Sequence, residues 1–180
     1  MNRRSLLTTI AGVGVAGCLG DDREDRQPLK SVGDDDQPIE KSPVDLLPSA
    51  EHLGGEWQER EIDRDLCQGF FKSDDTGQVS LVACAWVLTG IDEAKETFES
   101  RIRESRTAVR SGVQDKEPKI GVEAAIVAGG TEIHVIFRDA NAVGRVEYEL
   151  DTEGMIDEDD IPDPEDILVH AVAMHTIWRD

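Results

Sequence analysis

Two hydrophobic periods alternate along the chain from about residue 45 onward, and their order sets the expected elements. Residues 57–62, 66–72 (LCQGFFK) and 79–88 (VSLVACAWVL) are rich in strand-forming side chains. The second and third runs flank SDDTG, a hairpin signal in which the glycine can take a left-handed conformation. The period then lengthens. Ala94, Phe98, Ile102, Ser105 and Val109 recur at spacings of three and four, which predicts an amphipathic helix over 92–111 with Asp92 as N-cap and Gly112 as C-terminal cap. Period-two patterns return at 121–127, 131–138 and 143–150, the last two joined through DAN. The acidic stretch DTEGMIDEDDIPDP leads into a final helix. There Asp163 is placed to cap, Pro164 takes the first helical position and Asp166 stands where a capping-box acid belongs. The order βββαβββα predicts an α+β fold, an antiparallel sheet of about five or six strands with two helices packed on one face.

The strands at 131–138 and 143–150 carry the most chemical information. Ile133, Val135 and Phe137 alternate with Glu132, His134 and Arg138, and Val146, Tyr148 and Leu150 alternate with Arg145, Glu147 and Glu149. One face is thus apolar, and the other presents His134, Arg138, Arg145 and Glu147 as a candidate ligand face with room for a cross-strand His–Glu pair. The plainer alternative is a solvated face of ion pairs. On the first hairpin, a register that sets Asp74 opposite Gly77 puts Cys67 opposite Cys84, the geometry for a disulfide. A glycine bulge at Gly77 would instead send Cys84 to the other face and leave two separate thiols.

Before the domain the pattern changes character. The chain opens MNRRSLLTTIAGVGVAGC, with Arg3 and Arg4 ahead of a weakly apolar run and small residues before Cys18. That run has about a dozen residues against the roughly 20 needed to span a bilayer, so it reads as an export signal. Arg3-Arg4-Ser5-Leu6-Leu7 resembles the twin-arginine export motif, and Val15-Ala16-Gly17-Cys18 resembles a lipobox, with Val15 where leucine is favoured. The resemblance implies cleavage before Cys18, lipidation of its thiol and attachment to the outer face of the cytoplasmic membrane. Residues 18–44, proline-containing and almost without apolar side chains, read as a disordered acidic tether with a reach of roughly 30 Å. The expected organisation is a signal over 1–17, the tether over 18–44 and one domain over 45–180.

Composition narrows the partners. The chain has 39 acidic and 19 basic residues, a net charge of −20, and only six of the bases are lysines. Removing residues 1–17 takes away Arg3 and Arg4 and no acid, which leaves −22. Such a surface would be repelled by a phosphate backbone and by anionic headgroups, so nucleic acid and electrostatic membrane docking are excluded. In molar salt the Debye length falls to about 3 Å and the self-repulsion fades. With the export motifs, this acid-rich, lysine-poor composition resembles that of haloarchaeal twin-arginine-exported lipoproteins. In layout, though in no motif, the element order is also similar to PsbP-like extracytoplasmic domains.

Motifs of catalysis are absent from the sequence: no nucleophile elbow, phosphate loop, dinucleotide glycine pattern or paired-cysteine zinc spacing. His170 and His175 are five apart, about 140° around a helix, which does not suit one metal. His175 falls on the apolar stripe, as a core or rim residue. The acids at 157–166 lack the EF-hand glycine and are broken by prolines. No metal or cofactor is expected. The sequence therefore favours a non-enzymatic, lipid-anchored domain that binds a partner or ligand at the cell surface. The alternative is a surface hydrolase or small-ligand carrier working through the polar face around His134.

Overall fold

A computed structural model describes residues 30–54, 56–74, 77–109, 118–151 and 163–180. In chain order the elements are β1 (Ser31–Val32), a 3₁₀ turn (Pro43–Leu46), α1 (Ala50–Leu53), β2 (Gln58–Arg60), β3 (Cys67–Asp74), β4 (Gly77–Val87) and α2 (Ile91–Ala108). There follow β5 (Ile120–Gly121), β6 (Glu123–Gly129), β7 (Glu132–Asp139), β8 (Ala142–Asp151) and α3 (Pro164–Arg179). The fold is α+β, as the patterning predicts.

Six strands form one sheet in the order β2-β3-β4-β8-β7-β6, every neighbouring pair antiparallel. Two three-stranded meanders therefore meet edge to edge, with the longest strands, β4 and β8, at the seam. A central strand between two covered faces is expected to read as a near-continuous apolar run, and β4 does. The β3–β4 register sets Asp74 against Gly77 and Cys67 against Cys84, and the two sulfurs are bonded, with Cα atoms 4.1 Å apart.

The helices do not share a face. On one side α3 presents Ile167, Ala171, Met174 and Trp178 to Phe70, Leu81, Val135, Phe137 and Val146, all buried. Fully burying each such side chain contributes about 1.5–3 kcal/mol. On the other, Ala94, Phe98 and Ile102 of α2 pack with Val127, Ile136, Val143 and Trp86. Val135 and Ile136 are adjacent in β7 and so point to opposite sides. This corrects the expectation of two helices on one face. Ile136 and Val143 sit among the polar-face positions, and the strip they form needs its own cover. The helix that supplies it begins after Gly90 rather than at Asp92, with Thr89 N–H and Oγ1 donating to the Glu93 carboxylate at 3.0 and 2.5 Å. The helix ends at Ala108 with Val109 as its C-cap, short of the expected end at 111, and Gly112 lies outside the described residues.

A second correction concerns the tether. Residues 30–44 pack on the domain: β1 pairs in parallel with β5, and Ile39 is buried. Asn141, in the β7–β8 turn, accepts from Ile39 N–H at 2.7 Å and donates to the Ile39 and Leu88 carbonyls. The β1–β5 pairing depends on Gly121, whose φ is +63° and where an added Cβ would come within 2.4 Å of the Arg138 carbonyl oxygen. The polar composition of 30–44 concealed this docking because side chains of the main domain satisfy its backbone, and few apolar contacts are used. The folded unit therefore includes residues 30–44, which a boundary at 45 leaves out. Among the described residues, no helix is long and apolar enough to cross a membrane.

Candidate functional site

α2 covers only part of its face of the sheet. Beyond its C-terminal half, the rows of β7 and β8 that carry His134, Arg145 and Glu147 form the floor of a cleft of about 460 Å³. Ser105 and Glu104 of α2 make one wall, and Arg60 at the end of β2 with Ile62, Asp63 and Arg64 after it make another. The register fixes three rows across the floor. Arg145 lies between Cys84 and Ile136, Glu147 between Val82 and His134, and Glu149 between Ser80 and Glu132.

A chain of charges orders the arginines. Arg145 donates to Glu147 at 2.6 Å, and Arg64 donates to the other oxygen of Glu147. Arg101 donates to Glu104 at 2.6 Å, and Arg145 approaches the same carboxylate at 3.8 Å. Both guanidiniums rest over the Trp86 ring, at 4.3 Å for Arg101 and 5.7 Å for Arg145, and this cation–π contact limits where Arg145 can turn. Burial would raise the Glu104 carboxyl, but Arg101 and Arg145 together hold it below its ordinary value. His134 is held below its ordinary value mainly by burial, with Glu147 pulling the opposite way and Arg145 and Arg64 adding to the drop. The ring is therefore neutral, with one donor and one acceptor nitrogen.

The cleft is chemically incomplete. Ser105 is 1% exposed and His134 7% exposed, yet Ser105 Oγ, His134 Nδ1 and Arg145 Nε have no protein hydrogen-bond partner. All three residues line the cleft. Polar atoms buried at this level are normally partnered, and leaving one unmet costs about 1–3 kcal/mol. Because neither Ser105 Oγ nor His134 Nδ1 has a partner, no bond between those two atoms activates the serine as a nucleophile.

Of the residues singled out by sequence, His134, Arg145 and Glu147 are brought together here. Arg138 is not. It is 1% exposed at the far end of β7, where it donates to Glu123 and Asp35 at 2.6 Å and to the Ala140 carbonyl at 2.9 Å. Strand alternation put it on the right face. The segment carrying Asp35 then folded over it and turned it into a structural tie. Arg3, Arg4 and Cys18 lie outside the described residues. Ser105, Arg64 and Glu104 were not anticipated as site residues, although a serine inside the apolar stripe of α2 was a legible signal. Among the described residues, no group of three or more histidine, cysteine or acidic side chains could hold a metal ion. No family model matches the chain, and neither a curated protein nor a solved structure matches it.

Proposed function

We propose that this chain is a lipid-tethered extracytoplasmic domain that binds a small polar ligand in the cleft over His134, Arg145 and Glu147. One observation carries the reading: Ser105, His134 and Arg145 line a single cavity, and each keeps one buried polar atom, Oγ, Nδ1 and Nε respectively, without a hydrogen-bond partner in the protein. A concave site with a few convergent polar groups is the usual form of a small-molecule pocket, and its volume falls in the usual range. Anchoring rests on the lipobox at Cys18 and export on Arg3 and Arg4. The outer face of the cytoplasmic membrane follows from both.

The test is a thermal-shift screen of a broad small-molecule library against the wild type and His134→Ala. The expected result is at least one compound that raises the wild-type Tm and leaves the variant unmoved. A library without such a compound overturns the binding reading. For the anchor, Cys18→Ser is expected to move the protein from the membrane fraction to the soluble one, and unchanged sedimentation overturns it.

A hydrolase remains the second reading because Ser105, His134 and Glu147 share the cleft. It requires turnover of an ester that disappears in Ser105→Ala while folding is retained.

A further inference from the structure

Away from the cleft, a second serine has the bond to histidine that Ser105 lacks. Ser31 of β1 places Oγ 2.7 Å from His175 Nδ1, and His175 Nε2 lies 2.7 Å from Asp139 Oδ2. The three side chains come from β1, α3 and the end of β7. Ser31 is half-buried, whereas His175 and Asp139 have no exposure. An accessible hydroxyl, a base behind it and a carboxylate behind the base is the order that activation of a serine needs.

The bonds fix the direction of each proton. Burial would raise the Asp139 carboxyl, but His175 and Arg179 bring it down to about 2, so it is ionised and only accepts. His175 Nε2 therefore donates to it, Nδ1 of the neutral ring is left as an acceptor, and the Ser31 hydroxyl donates to Nδ1. Neither group is free to turn. Arg179 binds both Asp139 oxygens, and Asp34 N–H donates to one of them. The imidazole stands edge-on to Phe137 at 5.8 Å, with Trp178 at 5.7 Å. Directly after Asp139, Ala140 is held at φ +47°, a left-handed strain of the kind that gathers at functional sites. A donor for a developing oxyanion is also in place. The N–H groups of Ser31 and Gly33 donate to the Lys119 and Gly121 carbonyls, so by alternation Val32 N–H points to the other side of β1. Among the described residues no strand pairs there, and Val32 directly follows the serine.

We propose that Ser31 is a nucleophile that takes an acyl group from a thioester or an aryl ester and retains it. The bond from Oγ to the acyl carbon forms, and the C–S or C–O bond to the leaving group breaks, releasing a thiolate or phenolate. The hydroxyl proton passes to His175 Nδ1, and the Asp139 carboxylate stabilises the charged ring. The enclosure of His175 sets two limits. The ring has no route for handing a proton to an alkoxide or an amine, so only groups that depart as stable anions are displaced. Nor does it reach water to activate it afterwards, so the acyl-serine persists.

The test mixes purified full-length protein with 4-nitrophenyl acetate or with ethyl acetate and locates acetyl groups by peptide mass spectrometry. The expected result is a stoichiometric burst of 4-nitrophenolate, an acetyl group on Ser31, and no reaction with ethyl acetate. Ser31→Ala is expected to abolish the burst, and His175→Gln to slow it about a hundredfold, a typical contribution of a general base. A burst that survives Ser31→Ala overturns the proposal, as does acetylation confined to lysines. Acetylation of Ser105 in place of Ser31 overturns it in favour of the cleft hydrolase. Steady turnover through Ser31, or equal reaction with ethyl acetate, overturns the limits set by the enclosed ring. If His175→Gln does not fold, the acetyl map of the wild type decides alone.

Discussion

Two polar clusters in this domain use the same four kinds of side chain, serine, histidine, carboxylate and arginine, and they differ in what is left unmet. The first lies under the β7–β8 turn. His175 is fully buried, with one ring nitrogen 2.7 Å from Asp139 Oδ2 and the other 2.7 Å from Ser31 Oγ. Arg179 donates to both Asp139 oxygens, and Asp34 N–H donates to Asp139 Oδ1 at 2.8 Å. Burial would raise the Asp139 carboxyl, but hydrogen bonds from His175 and Arg179 bring it down to about 2. The second cluster is the cleft, where Ser105, His134 and Arg145 each keep a buried atom without a partner. A completed network ties elements together, here the segment at 31–37 to α3 and the sheet. An incomplete one in a cavity is held ready for something from outside.

The largest effect is expected where the completed cluster is broken. Asp139→Ala leaves the Arg179 guanidinium, a buried histidine ring and a backbone N–H without their acceptor, and removal of one partner from such a group costs about 3–5 kcal/mol. Urea unfolding of wild type and variant measures it. Glu147→Gln, in the cleft, keeps shape and is expected to cost a third of that or less. Equal losses would show that the clusters do the same job. The Asp139 contribution is present above pH 3.8 and is lost as pH falls toward 2, because the folded carboxyl resists the proton that the unfolded one accepts.

A second comparison sets the half-buried His170 against the buried His134. His170 packs edge-on to Trp57 at 5.3 Å, and burial, with Lys72 nearby, lowers it to about 4 from 6.5. The unfolded chain gains this proton before the folded one does. Stability is therefore full above pH 6.5 and declines as pH drops to 4, by up to about 3 kcal/mol. Unfolding followed across that range should flatten in His170→Gln. His134 pulls in the same direction, so a small slope is expected to remain until ligand or His134→Gln removes it. A slope unchanged by His170→Gln would place the titration elsewhere.

The disulfide joins the comparison because it lies on the cleft's side of the sheet, with Cys84 directly across from Arg145. Closing a loop with a sequence separation of 17 is worth about 3 kcal/mol in the chain-entropy model. The Cys67→Ala/Cys84→Ala double variant is expected to lose close to that in denaturant. It should also bind ligand more weakly, because the stretch that carries Arg64 runs straight into β3. Weakened stability with unaltered affinity would show that the wall at 60–64 is held without the bond.

How much of this was readable beforehand depended on sequence distance. The meanders, the α2 stripe and the Cys67–Cys84 register follow from local periodicity and hairpin arithmetic, and the structure has them. His134, Arg145 and Glu147 were found together because β7 and β8 are joined by a tight turn, so alternation alone aligns them. Contacts spanning a hundred residues left no such trace. Arg138 meets Asp35, and Asp139 meets Asp34, through a segment whose composition reads as unstructured. The opposite placement of the helices was hidden for a subtler reason. Ile136 and Val143 interrupt the polar face by one residue in each of β7 and β8, too little to see strand by strand and enough, beside Val127 of β6, to require α2.

The finest discrimination uses two serines and expects effects of opposite sign. Ser31 Oγ lies 2.7 Å from the His175 ring, so Ser31→Ala removes one half of a satisfied pair and is expected to cost about 1 kcal/mol. Ser105 is nearly inaccessible and its hydroxyl is unmet, so Ser105→Ala takes away a desolvated polar atom and leaves a methyl group on Cα. Its stability is expected to stay level or rise by up to about 1 kcal/mol. Thermal unfolding of the two variants side by side, without ligand, is the measurement. Two losses of similar size would mean that Ser105 has a partner after all, and the cleft would then be as complete as the cluster beneath the turn. A loss at Ser31 with none at Ser105 would leave the Ser105 hydroxyl with no role in stability, so its remaining use is to bind what enters the cleft.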